Sequence, residues 1–265
     1  MNIIIPTLGR VDNQVTLDNI PAKHRDKVVL VVQEHEYDTM KEKYDVRVWK
    51  LPTGTKGIAW TRYHIAQEFK GQRNFILDDD LKFVKIDGET LKATTFGEAE
   101  FDEMVDQINQ KMDEYVFGGL STHNTPPSDK PFSECTRIYT NVFYNEKFDP
   151  DTIDWGTQYE LMPEDFHVTL QLLERGVANV VFNHFRANAS ATQSKGGCET
   201  FRTLENHNRG QEILAELHPN YVKVYDKEVP SGPWKGAMKK ALKIQWKKAY
   251  TDSQKNESSL EEFFG

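Results

Sequence analysis

Three consecutive aspartates, Asp78, Asp79 and Asp80, close the apolar run Phe75-Ile76-Leu77. Ionised carboxylates so close together repel one another, so a cation, a cluster of amides or water must neutralise them. Hard oxygen ligands at a strand end suit Mg2+ or Mn2+ shared with substrate phosphates. The plainer alternative is a solvated turn with an acidic cap on the next helix; the position directly after an apolar strand favours metal. A second signal is Glu164-Asp165, which follows Met162-Pro163 and opens a helical pattern. Acids suit a first helical turn on dipole grounds alone, yet a carboxylate held there can also act as general base toward an acceptor hydroxyl. A third is His184, just after the apolar run 177–182. A lone histidine is more often a satisfied structural residue, but next to the aspartate strand it would complete a carboxylate–imidazole site. Gly57 and Arg62 precede the aspartates; they could bring backbone and a cation to a diphosphate, or be ordinary helix residues. Lys195-Gly196-Gly197 lacks the G-x-x-x-x-G-K-[ST] pattern and is no P-loop.

These residues need a scaffold, and the apolar patterning supplies one. Ile3–Ile5, Lys27–Val32, Val46–Trp49 and Phe75–Leu77 read as strands, the second a continuous β-branched run suited to a parallel strand covered on both faces. Ile58, Ile65, Ala66 and Phe69 recur at helical spacing between the third and fourth. Strands alternating with helices predict βαβ units and an α/β sheet, whose ligands gather beyond the carboxyl ends of the strands. That places Thr7 to Arg10, Glu34 and Asp78 to Asp80 at the candidate site. Further along, the pattern predicts a helix over 101–115, a strand over 115–120, a polar loop over 121–135 and a strand over 135–143. A helix then runs from Pro163 to Arg175-Gly176, and a last strand covers 177–182. The polar stretch 187–209 reads as a mobile loop, and the tail from Asn256 as frayed.

The chain has 265 residues, 38% hydrophobic and 11% aromatic, enough for one sizeable core and too much for wholesale disorder. Two cysteines, Cys135 and Cys198, cannot form an all-cysteine zinc site and fit a reducing compartment. With no basic leader and no run of about 20 apolar residues, the reading is a soluble, cytoplasmic protein with no membrane partner. Oligomeric state is not legible. The formal charge is −8, but residues 234–250 hold six lysines and no acid, and removing those six charges leaves the rest at −14. Lys239, Lys240, Lys243 and Lys247 with Trp246 offer phosphate contacts and aromatic surface to a nucleic acid. Alternatively they form an amphipathic terminal helix with packed tryptophans and solvated lysines.

Taken in order, these pieces resemble a GT-A glycosyltransferase: a strand into Pro-Thr-x-x-Arg (6–10), a second ending at Glu34, Gly57 and Arg62, then Asp-Asp-Asp, Pro-Glu-Asp (163–165) and His184. The resemblance implies a Rossmann-like GT-A fold with a mixed, mainly parallel central sheet and a C-terminal helical and loop extension. Its expected divisions are a catalytic domain over 1–186, an acceptor-side loop over 187–233, and a basic helix with an acidic tail over 234–265. It implies a nucleotide-sugar donor, UDP-linked by default, bound by Thr7, Arg10, Glu34, Gly57, Arg62, Asp78 and Asp79. It implies Mn2+ or Mg2+ on Asp80, Asp78 and His184, with Asp165 as the base of an inverting enzyme and Glu164 orienting acceptor or sugar. A narrower resemblance rests on Ser-Lys-Gly-Gly-Cys-x-Thr-Phe-Arg (194–202) and His-Pro-Asn-Tyr-Val-Lys (218–223). These look like bacteriophage glycosyltransferases that modify hydroxymethylated pyrimidines in DNA, which would make DNA the partner. The competing readings are a glycan, protein or small-molecule acceptor, an inactive nucleic-acid-binding module, or a metal-dependent nuclease.

Overall fold

The computed structural model describes residues 1–159, 162–189 and 203–264. The first βαβ units form as the apolar pattern requires. Strands β1 (Asn2–Pro6), β2 (Val28–Val32), β3 (Arg47–Lys50) and β4 (Asn74–Leu77) lie parallel in the order β3-β2-β1-β4. Every residue of β2 is buried, because helices cover both faces of the sheet. Short helices α1 (Val15–Asp18) and α2 (Tyr37–Lys43) follow the first two strands, and α3 (Gly57–Glu68) leads into β4.

Beyond the aspartates, β5 (Leu81–Ile86) and the short β6 (Ala93–Thr94) precede α4 (Glu98–Glu114). The expected strand over 115–120 appears as β7 (Phe117–Ser121). The polar loop after it contains a short strand, β8 (Phe132–Glu134), and the strand expected from Cys135 begins only at β9 (Asn141–Tyr144). Positive φ at Cys135 and Thr140 keeps the intervening backbone out of a ladder. Then come α5 (Glu164–Glu174) and β10 (Asn179–Ala189). The sheet continues β4-β9-β7-β10-β5-β6, with β9 antiparallel to both neighbours and β8 also pairing with β10. It is therefore mixed, with a mainly parallel centre.

One core lies under α4, where Phe101, Met104, Val105, Ile108 and Met112 meet Ile3, Ile5, Phe75 and Phe182. The other lies under α3 and α5, where Ile65, Phe69, Val168 and Leu172 meet Ile4, Val29, Val31 and Ile76. Gly118 permits tight packing in the centre of the sheet, since a Cβ there would sit 2.2 Å from the Phe143 ring and 2.4 Å from the Val180 carbonyl oxygen.

The C-terminal part departs most from expectation. Residues within the expected mobile loop start α6 (Leu204–Leu217), capped by Thr203, whose hydroxyl accepts the Asn206 N–H at 3.1 Å. The expected basic helix over 234–250 instead contains β12 (Met238–Ile244), antiparallel to β11 (Val222–Glu228). Helix α7 (Trp246–Phe264) begins only after it. The boundary expected at 186/187 falls inside β10, and the one at 233/234 falls inside this hairpin. The stretch 194–202, including Cys198, lies outside the described residues.

Helix α5 anchors the extension through its outer face. Leu170 and Leu173 pack with Ile213, Leu214, Val222 and Ala249, while Val168 and Leu172 face the sheet. A buried polar chain reinforces the joint: His167 Nδ1 lies 2.7 Å from His218 Nε2, and His218 Nδ1 lies 2.6 Å from Glu174. Burial pushes the His167 imidazole down to about 4, so it stays neutral at ordinary pH. Among the described residues, no helix is long and apolar enough to cross a membrane.

Candidate active site

The loop after β1 holds the three aspartates in different environments. Thr7 donates its hydroxyl to Asp79 at 2.6 Å and accepts from the Gln14 amide at 2.9 Å. Arg10 salt-bridges the other Asp79 oxygen and reaches Asp80 at 3.3 Å. In α1, the Thr16 hydroxyl donates to the Asp78 carbonyl at 2.5 Å and accepts the Leu81 N–H at 2.8 Å, which fixes the backbone of the whole triplet. Asp79 is thus a buried tie between β1 and β4, with both oxygens engaged. Asp78 is the most open of the three, its side chain 32% accessible against 11% for Asp79 and 16% for Asp80.

Arg62 comes from α3 and is buried, although its sequence position suggested a diphosphate contact. Its Nη2 lies 3.3 Å from Asp78 and its Nη1 3.0 Å from Glu164, at the start of α5. The two carboxylates raise the guanidinium pKa despite its burial. Arg62 therefore serves as the internal counter-ion that brings the two acidic motifs together, and Glu164, only 6% exposed, orients Arg62. Gly57 opens α3 with φ +78° and nothing near its missing Cβ, so the position needs glycine for conformation and not for close approach.

Asp165 follows on α5 and accepts the Phe166 N–H at 2.9 Å. Burial, reinforced by the neighbouring Glu164 charge, pushes its carboxyl up to about 7. Burial likewise raises Asp78 to about 7, with Arg62 opposing the shift. Both residues remain partly accessible. A cleft wall that removes bulk water without closing off the carboxylate produces this combination, and it suits a base working near neutral pH.

Two expected site residues lie elsewhere. His184 is separated from the aspartates by strand register: β10 runs antiparallel to β5, with Ala189 opposite Leu81 and Phe185 opposite Lys85. Five residues of strand, about 17 Å, separate His184 from the level of Leu81. Its ring rests against Gly88, and its Nε2 lies 3.1 Å from the Ser128 carbonyl oxygen. Glu34 sits on an exposed turn after β2, accepting from Thr53 at 2.9 Å with Lys50 at 3.4 Å, and these partners hold its carboxyl below the usual range. The buried acid near the β1 loop is Glu36, which accepts the Gly9 N–H at 2.8 Å.

Among the described residues, no group of three or more His, Cys, Asp or Glu is arranged to hold a metal. The donor set fits a divalent ion in a more limited way. Asp80 and Asp78 are hard carboxylates of the kind that hold Mg2+ or Mn2+ when substrate phosphates supply further oxygens.

Arg186 is a buried cation that the sequence reading missed. It pairs across the sheet with Ser121 of β7 and Val84 of β5. Because Phe185 and Ala187 point into the α4 core, alternation turns Arg186 to the α3–α5 face. It is 6% exposed, and its Nε and Nη2 are buried without a partner among the described residues. The available signal was an arginine four residues after the apolar run 177–182 and flanked by Phe185 and Ala187, where an unpaired charge is costly.

The nucleic-acid candidates divide between surfaces. Lys239 and Lys243 lie on one face of the hairpin, whereas Lys240, on the other, is ion-paired to Asp226 at 2.9 Å. Trp246 packs edge-on against Phe166 at 5.3 Å and is half-buried. Lys247 lines a recess of about 490 Å³ with Phe132, Cys135 and Tyr250, apart from the carboxylates.

A mixed Rossmann-like sheet with carboxylates at the end of β4 and a second acidic pair heading α5 defines a glycosyltransferase of the GT-A class. The TET-Associated Glycosyltransferase family model matches residues 1–197, and the chain belongs to that family. Two phage proteins, each named beta-glucosyl-HMC-alpha-glucosyl-transferase, are similar over most of their length. The one from Enterobacteria phage T6 is 26% identical over 83% of this chain and 81% of its own. The one from Enterobacteria phage T2 is 24% identical over 92% and 90%. The crystal structure of a mycobacterial protein shares the fold at TM-score 0.50 and 10% identity, covering 92% of this chain and 83% of that one.

Proposed function

We propose that this glycosyltransferase moves a sugar from a nucleotide-sugar donor, UDP-linked in the default case, to the hydroxyl of a hydroxymethylated pyrimidine in DNA. The names of the phage relatives, which are similar over most of both chains and join glucosyl transfer to HMC, support an HMC-bearing acceptor. The observation that carries the chemistry is Asp165, a partly accessible carboxylate poised at about 7 beside the aspartate turn. Asp165 takes the proton of the acceptor hydroxyl as its oxygen attacks the anomeric carbon. The bond to the nucleoside diphosphate breaks with its electron pair, and the stereochemistry inverts. Arg62 and Glu164 hold α5 against Asp78 so that the base faces the donor side. A divalent ion, Mn2+ or Mg2+, would be held by Asp80 with Asp78 and would offset charge on the departing diphosphate. Thr7 and Arg10 shape this end of the cleft by fixing Asp79.

The test is intact-mass analysis of short duplexes carrying 5-hydroxymethylcytosine, 5-hydroxymethyluracil or neither. Each is incubated with the protein, Mn2+ or Mg2+ and a panel of nucleotide sugars. A gain of one sugar on hydroxymethylated strands alone is the expected result. Donor hydrolysis without any mass gain would remove these hydroxymethylated duplexes as the acceptor and leave the transferase.

A further inference from the structure

The β11–β12 hairpin has two chemically different faces, and only one is needed to hold it in place. Residues at even positions, Val222, Val224, Asp226, Leu242 and Ile244, share one face. There Val222, Leu242 and Ile244 join the core of α5 and α6, and Asp226 neutralises Lys240 at 2.9 Å. The odd positions carry Lys223, Tyr225 and Lys227 on one strand and Lys243, Ala241 and Lys239 opposite them. Lys223 faces Lys243, and Lys227 faces Lys239. Three of these lysines are exposed and Lys239 is half-buried, with Tyr225, 48% exposed, at the centre. None of the four ammonium groups is ion-paired among the described residues.

Like charges directly opposite on neighbouring strands destabilise a ribbon. Lysines do protect strand edges from aggregation, but mixed charges would do so without this repulsion, and the inner face shows that the ribbon accommodates an Asp–Lys pair. We propose that the outer face of β11–β12 binds the phosphate backbone of duplex DNA, with Lys223, Lys227, Lys239 and Lys243 contacting phosphates around Tyr225. The choice of DNA as the polyanion rests on the acceptor reading above; the four uncompensated charges do not.

Geometry connects this face to the site. The pairs of lysines span about 13 Å along the ribbon and lie about 5 Å apart across it. At its base the chain passes from Ile244 into Trp246, whose ring packs on Phe166, the residue after Asp165. Lys243 is three residues from Trp246, so the Lys223–Lys243 pair forms the end of the ribbon nearer to α5, whose first turn carries the carboxylate a flipped base would meet. The rest of the chain is acidic, but at 0.1 M salt the screening length is about 10 Å, which lets a local patch of four charges act on its own.

Fluorescence anisotropy with a labelled unmodified duplex, titrated between 50 and 200 mM KCl, tests this. Four phosphate contacts give a slope of log affinity against log salt of about −3.6, roughly a 150-fold loss over that range. The double variants Lys223→Gln/Lys243→Gln and Lys227→Gln/Lys239→Gln should each remove about half of the slope. Neither should lower the melting temperature, since each relieves a repulsion. Lys27→Gln/Lys147→Gln removes the same charge at the amino-terminal end of the parallel strands, where Lys27 precedes β2 and Lys147 follows β9, and should leave the slope unchanged. A wild-type slope in both ribbon variants, or no duplex binding by the wild-type chain at 50 mM, overturns the proposal. Ribbon-dependent binding without sugar transfer to any hydroxymethylated duplex would sustain the ribbon and sink the acceptor reading.

Discussion

Asp165→Asn should increase stability while abolishing turnover, and the pH dependence of the gain identifies its cause. The carboxyl titrates at about 7 in the folded protein, against 3.8 when unperturbed. Between those values the folded state holds a proton that the unfolded chain has lost. This contribution to stability is complete below pH 4 and disappears as pH rises through 7. Above pH 7 the wild type bears an ionised carboxylate next to Glu164, and an isosteric amide does not. A shift of about three pH units sets a ceiling near 4 kcal/mol. Solvent reaching the half-buried group screens that to about 1–2 kcal/mol. For a chain of this size the gain corresponds to about 3–6 °C in melting temperature at pH 8, fading to nothing by pH 4. Thermal melts of both proteins from pH 4 to pH 9 measure it. Activity should fall by about 10²–10⁴-fold, and the wild-type rate should rise with pH through 7 as the base ionises. An Asn variant no more stable than wild type at pH 8, or one that retains turnover, would refute the assignment.

Two other substitutions probe the charges around this base. Arg62→Met strands Glu164 and Asp78 without their buried counter-ion and should cost about 3–5 kcal/mol, read as a drop in melting temperature that adding Glu164→Gln partly restores. A near-wild-type melt for Arg62→Met would show that the bridge is not structural. His184→Ala removes a ring that packs on Gly88 away from the aspartates, so the concentration of Mn2+ or Mg2+ giving half-maximal activity should stay the same. A tenfold rightward shift in that concentration would place the imidazole on the metal after all.

The sequence by itself determined β1 to β4, β7, the start of β10, the helices α3 to α5 and the order of the acidic motifs. Continuous β-branched runs such as 28–32 can only be buried strands in a chain of this kind, and carboxylates placed directly after such a strand must emerge at its open end. The position of Asp78, Asp79 and Asp80 at the end of β4 was legible for that reason, and that of Asp165 in the first turn of α5 from the helical pattern that follows Pro163. Partnership was not legible, because it depends on contacts between distant segments. Arg62 reads as an ordinary helix residue until α5 delivers Glu164, 102 positions later, to 3.0 Å from its guanidinium. His184 has the right order for a ligand but the wrong register, since antiparallel pairing with β5 turns a short separation in motif order into about 17 Å of strand. The lysines after residue 234 show the same limit. Their spacing suits a helix or a strand, and only the pairing of 238–244 with 222–228 decides between them. That pairing turns Lys240 toward Asp226 and Lys239 and Lys243 toward solvent, because alternation along a strand is fixed by register, which tertiary packing sets.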